Sequence, residues 1–331
     1  MTTTEPRQQP SHEELLATMT GGMVPATVTD FAGSDRLRPD GRPRRHLRDE
    51  LRQIDNVANA GAFLLILVQV AAAVWLVARI DHWLAVVLAV PVMASLQLRF
   101  YILHHEAAHR LLFSNRRVND IVGINFCGWV ALGTGTHGYR RSHVNHHRDE
   151  FGRKEPDFLL YSFYPIKKAS MRRKLRRDAT GVSGWRIVKP RFTGLLKPKY
   201  LAMSLRFFAG QLLVLSAFWA FGHPWLYVFM WVLPYMTWYQ VVNRLRSIAE
   251  HGGMTRSPDR RITSHFVAQG FWARATFAPY NVGYHLAHHV DSGVPFRNLP
   301  KLRQIMIEDG YATDELMWPN YRTLWKAMIK D

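Results

Sequence analysis

Apolar stretches alternate with strongly polar ones along the chain, and the apolar stretches come in two pairs. Residues 60–78 run for 19 positions without a charge. At about 1.5 Å per residue, that is enough for a helix to cross a hydrocarbon core of roughly 30 Å. After the short turn Arg79-Ile80-Asp81-His82 a second run covers 83–103, interrupted only by Arg99 near its far end, where a long side chain reaches the headgroups. The pattern repeats at 201–221, with Arg206 near the entry. After Gly222-His223 it repeats again at 224–242, where Pro234 and an abundance of Trp, Tyr and Phe are tolerable in a membrane helix. The pattern predicts four transmembrane helices in two hairpins. A further run, 121–136, is short and carries Gly123, Gly128, Gly133 and Gly135, so it reads as an interfacial or re-entrant segment.

Charge changes this picture by its placement rather than its amount. With 43 Lys+Arg against 25 Asp+Glu the formal net charge is +18, which on average composition suggests a soluble nucleic-acid binder. Only Arg79 of these basic residues falls in the two short turns, whereas residues 137–200 alone hold 17, including the cluster from Lys167 to Arg177. Positive charge collects on the cytoplasmic side of a membrane. Both termini and the 137–200 connector are therefore expected in the cytoplasm, the partner is the bilayer, and no nucleic acid is needed to explain the charge. The reading is an all-α, multi-pass integral membrane protein, placed in a bacterial inner membrane. A polar and mobile cytoplasmic lead-in (1–55) precedes a membrane domain (56–331) with a cytoplasmic helical cap (104–200 and 243–331). The lead-in lacks the apolar centre of a secretory signal. The single cysteine, Cys127, reads as a buried, inert thiol.

Eight of the 16 histidines fall in three groups. His105-Glu106-Ala107-Ala108-His109 follows the second run, His143-Val144-Asn145-His146-His147 opens the basic connector, and His285-Leu286-Ala287-His288-His289 follows the fourth run. Spacings of three and four put imidazoles on one helical face, and imidazole is the commonest neutral metal ligand. An even number of crossings separates the groups, so all three face one compartment. Eight rings exceed the needs of one ion and suggest two metals. His251, just past the inner end of the fourth run, is a ninth candidate. Asn281, four residues before His285, is placed to bind directly, through water, or as a supporting partner. Asp149, Glu150, Asp157 and Asp291 are candidates to orient the second ring nitrogens, with Glu106 and Glu250 favoured because each adjoins a proposed ligand.

These groups resemble the histidine boxes of the membrane-bound fatty acid desaturase superfamily, HxxxH, HxxHH and HxxHH. The resemblance covers about 60–302 and includes the interbox hairpin, the His251 element and the run Val294-Pro295-Phe296-Arg297-Asn298-Leu299-Pro300. In overall pattern, rather than in one diagnostic residue, the chain is similar to the dihydrorhizobitoxine desaturase group, which acts on a small amino-acid-derived molecule. Two departures stand out: Glu155-Pro156-Asp157 occupies the place of a DPD run, and the segment ending Leu302-Arg303 lacks a histidine often found there. The resemblance implies a non-haem di-iron centre and dioxygen as co-substrate, acting to desaturate an acyl, lipid or alkyl chain. It implies as ligands His105, His109, His143, His146, His147, His251, His285, His288 and His289.

The chain has no CxxCH haem site, no cysteine cluster and no GxGxxG fingerprint, so electrons must come from an external carrier such as ferredoxin with its reductase. Three rival readings remain at this stage. A hydroxylase on the same scaffold shares every motif. The first box is also literally HExxH, a zinc metalloprotease pattern with Glu106 as base, though it leaves six histidines unexplained. A structural membrane protein with incidental histidines leaves all of them so.

Overall fold

The computed structural model describes residues 10–331, which are mostly helical. α1 (Asn56–Ile80) begins on Asp55, whose carboxylate accepts the Ala58 N–H at 2.9 Å, and ends on Asp81 in the left-handed conformation. One residue later His82 caps α2 (Trp83–Ala108), its Nδ1 accepting the Leu84 N–H at 3.2 Å. This tight turn returns the chain, and the two helices pack as the first hairpin. α2 continues beyond the apolar run, and its last turn carries the first histidine box.

The first part of the run 121–136 belongs to a short helical stretch, Arg116–Val118, Asn119–Cys127 and Gly128–Val130, that packs along α2, and residues 131–136 follow as irregular chain. Gly123 permits the approach, because a Cβ there would lie 2.1 Å from that of Ala107. α3 (Gly138–Arg148) carries the second box. The basic connector then forms α4 (Lys168–Ala179) and α5 (Val182–Gly194), and α6 (Pro198–Ala220) is the next long apolar helix, with Pro198 in its first turn.

The expected fourth crossing is not one helix. Val228–Val232 is π-helical, Leu233–Met236 follows, and the backbone breaks at Thr237 (φ −119°, ψ −91°) before α7 (Trp238–His251) sets out. Pro234 removes an N–H from the ladder, and the Thr237 hydroxyl turns back to donate to Leu233 O at 2.6 Å. Among the described residues, three helices, not the four expected, are long and apolar enough to cross a membrane unaided. Val68, Trp75, Leu88, Leu212 and Trp219 lie exposed on α1, α2 and α6, an apolar surface suited to lipid.

α8 (His285–Val290) carries the third box and packs against α9 (Leu299–Glu308). Two parallel pairings, Ile166–Lys167 with Ile329–Lys330 and Phe266–Val267 with Met317–Trp318, tie the C-terminal region into the cap. The N-terminal stretch lies against the rest of the chain through a few side chains. Residues 1–9 lie outside the described residues, but Leu37 and Leu51 are buried, Arg36 pairs with Asp309, and Arg52 holds Asp291 at 2.7 Å. Its few apolar side chains are spaced too irregularly among arginines to announce this packing.

Candidate metal centre

Four helix segments deliver the histidines. α2 ends in the first box, with His105 and His109 one turn apart. α3 presents His143, His146 and His147 on one face, α7 terminates in His251 just before Gly252 and Gly253, and α8 supplies the third box. Gly253 adopts φ 77° and lets the chain leave α7 sharply.

The nine rings converge as two adjoining groups. His105, His109, His143, His147 and His288 form one, and His146, His251, His285 and His289 the other; within each, one ring nitrogen per residue lies within 4.8 Å of all the others. The groups abut, since the rings of His147 and His289 stack with centroids 4.2 Å apart. In the first group, His143 Nε2 sits 2.9 Å from His109 Nε2 and 3.0 Å from His147 Nε2. In the second, His285 Nε2 and His251 Nε2 are 2.8 Å apart.

What holds the other ring nitrogens decides what these can do. His251 Nδ1 donates to the Thr263 carbonyl at 2.8 Å, His146 Nδ1 to the Glu155 carboxylate at 2.8 Å, and His289 Nδ1 to Glu150. With Nδ1 of all three spent in this way, their Nε2 atoms are the ones left for a metal ion. His105 Nδ1, His147 Nδ1, His288 Nε2 and His289 Nε2 are buried without a protein partner. Buried polar atoms left unpaired are costly, so this donor set fits metal ions far better than an apolar core.

Electrostatics agree with that fit. Burial, reinforced by neighbouring imidazoles, holds His143, His147, His285, His288 and His289 well below the ordinary histidine range, His109 at about 3 and His251 at about 4. These rings are neutral at physiological pH, as ligation requires. His146 is the exception: burial opposes its charge, but the Glu155 carboxylate prevails and lifts it to about 9.

The remaining sequence candidates lie differently. Glu106 accepts the Phe296 N–H at 2.9 Å, so its hydrogen bond goes to a loop rather than to a ring, and it is not among the clustered donors. Asn281 donates its amide to Phe296 O at 3.2 Å and is not among the clustered donors. Glu250 pairs with Arg246 at 2.5 Å and stands 3.7 Å from His285 Nδ1. The anchors that do touch ligand-type rings are Glu150 and Glu155. Glu150 is further held by Arg260 at 2.8 Å. Glu155 was visible in the sequence only as an irregularity after the second box, since its reach to His146 depends on a turn containing Phe151 at φ 59°. Outside the cluster, His104 donates to Gly123 O at 3.0 Å and His265 to Gly252 O at 2.7 Å, as core histidines do.

Two openings approach the rings from different sides. A cleft of about 630 Å³ reaches His109, His147 and His289, and Arg38, Arg42, Arg48, Arg52, Arg110, Arg140 and Arg260 line it. A smaller chamber of about 60 Å³ touches His105 and His143 of one group and His146, His251 and His285 of the other.

Residues 81–321 match the fatty acid desaturase family. The chain is 28% identical over 264 residues, covering 71% of this chain and 72% of the relative, to the dihydrorhizobitoxine desaturase of Bradyrhizobium elkanii. The match spans all three histidine boxes and the helices that carry them. The chain therefore belongs to the fatty acid desaturase family and is an oxidoreductase of the desaturase type.

Proposed function

We propose that the protein is an oxygen-dependent desaturase holding two iron ions, one in each histidine group, and that it converts a saturated carbon–carbon bond of its substrate to an alkene. The observation that carries this reading is the pair of adjoining groups, five and four imidazoles, with three rings of the four-histidine group anchored through their second nitrogens by Glu150, Glu155 and Thr263. Imidazole-bound iron supplies, when present, the oxygen chemistry needed to break unactivated C–H bonds. The balance takes two hydrogens from the substrate, two electrons from a carrier, two protons and one dioxygen, and gives the alkene and two waters.

The chain's own residues hold and orient. His105, His109, His143, His147 and His288 serve one ion, and His146, His251, His285 and His289 the other. Glu155 and Glu150 fix ring orientation and raise ligand basicity. The broken segment 224–251 completes the second hairpin, which puts both termini and the metal centre in the cytoplasm, in line with the basic residues around the cap. The arginine-lined cleft brings solvent-side charge to the edges of His109 and His147, which favours entry of electrons from an acidic carrier such as a ferredoxin.

Turnover under isotopically labelled dioxygen tests the reaction. The expected product is two mass units lighter than its substrate and free of label, the label appearing in water. Label retained in the organic product would establish hydroxylation instead.

A further inference from the structure

The basic connector carries charge that the fold does not neutralise. Residues 167–199 contain twelve Lys and Arg and one acid, Asp178. That acid is buried and accepts from Arg244 of α7 at 3.0 Å, so it is spent on the joint between α4 and α7. Among the described residues this is the one salt bridge on α4. Met171 and Asp178 mark the inward face of the helix, whereas Lys168, Arg172, Arg173 and Arg176 are exposed. Lys168, Arg172 and Arg176 follow one another at intervals of four, so like charges stand a turn apart along one stripe. Such a stripe weakens a helix unless an anion sits on it.

α5 adds an apolar face. Trp185, Ile187 and Phe192 are exposed on it, with Leu196 just beyond its end. The helix lies against the foot of α6 and the broken segment that follows: a Cβ at Gly184 would lie 2.6 Å from Met236 O, and one at Gly194 2.3 Å from Ser204 Oγ. Phe192 packs edge-on against Phe208 of α6, with ring centroids 5.0 Å apart, and Leu201, Leu205 and Leu212 carry the exposed apolar surface onward along α6. The apolar face of α5 therefore continues that of a helix long and apolar enough to cross a membrane, and α4, packed against α5, adds cations at the same end of the molecule. A soluble acidic protein would match the charge of α4 and leave the aromatic face of α5 uncovered. An acidic phospholipid matches both, offering its phosphate to the cations and its acyl chains to Trp185 and Phe192.

We propose that α4 and α5 form a binding site for acidic phospholipid where the chain enters the membrane as α6. None of these residues lines the arginine cleft beside the histidines, and the site goes beyond the desaturase reading without depending on it.

The test is lipid selectivity at Trp185 in the full-length protein, reconstituted into phosphatidylcholine bilayers that carry a minor fraction of either phosphatidylglycerol or phosphatidylcholine with brominated chains. Bromine quenches tryptophan on contact, and the Trp185 signal is the difference from Trp185→Phe. Phosphatidylglycerol is expected to be favoured about tenfold or more at low salt, since each cation near the surface contributes several-fold, and the preference should shrink in about 0.5 M salt. Arg172→Gln, Arg173→Gln and Arg176→Gln combined should bring the two lipids within about twofold of each other. Lys at the same three positions should keep the preference, which separates a loss of charge from a loss of folding. Equal quenching by both lipids in the unaltered protein, or quenching by neither, would overturn the proposal. So would a triple Gln variant that keeps its lipid preference but no longer binds a soluble acidic protein such as ferredoxin, because the patch would then belong to a protein partner.

Discussion

At the scale of single residues, an imidazole is made a metal ligand by what holds its other nitrogen. Glu150 and Glu155 both anchor rings of the four-histidine group, so Glu150→Gln and Glu155→Gln are expected to weaken that site by about 10–100-fold and to spare its neighbour. Metal analysis after dialysis against a mild chelator should then find iron falling toward one per chain. Glu106→Gln, by contrast, is expected to keep full iron and activity, because Gln retains the acceptor for the Phe296 N–H; loss of a protease-like base would show as inactivity. Protonation gives a second expectation, for the metal-free protein. His109 and His251 titrate at about 3 and about 4 in the fold, against about 6.5 in an unfolded chain. Below pH 6.5 the unfolded state binds more protons, so these rings contribute stability that is present above about 6.5 and lost as pH falls toward 4. His146 runs the other way, its contribution present below about 6.5 and lost as pH rises to about 9. Thermal melts of chelator-treated protein should therefore show a fall from pH 7 to pH 5, where several depressed rings outweigh one raised ring; a flat profile would count against neutral buried histidines.

At the scale of elements, the site depends on how helices end. α2 must overrun its apolar stretch by one turn, and α7 must stop at His251. Gly253 makes that stop, and a Cβ there would also meet Met23 Cγ at 2.3 Å. Gly253→Val should cost about 1–3 kcal/mol by overpacking alone, read as a lowered thermal midpoint, and should displace His251 enough to reduce metal retention. Periodicity made much of this legible. The three boxes, the hairpin turn at Asp81-His82 and the inner ends of the helices follow from local spacing and from capping residues. The break at Thr237 does not, because a proline and a back-bonding threonine are tolerated in many membrane helices and only packing decides whether one breaks. Nor are Glu150 and Glu155 separable by sequence from Asp149, since which carboxylate turns inward is settled by the turn around Phe151. Packing of the N-terminal stretch is hidden for a related reason: Leu37 and Leu51 stand alone among arginines and meet their partners only across the cap.

For the whole molecule, charge and hydropathy divide the chain into long apolar runs and a basic remainder, and the nine clustered histidines lie beyond the ends of the apolar runs. The proposed topology has a direct consequence. A cysteine placed at Asp81 in the first turn should react with a membrane-impermeant thiol reagent added to intact cells, whereas one placed at Ser170 in α4 should react only after lysis. Cys127 is buried and should remain silent in both. Labelling of both positions from the same side would break the agreement between basic residues, crossings and site. The metal centre itself is tested most directly by the metal content of protein purified from iron-supplied cells. Two irons per chain are expected, falling to about one in His143→Ala and again in His285→Ala, since these rings serve different groups; one zinc with no iron, or iron unchanged in both variants, would contradict a di-iron centre built from the three boxes.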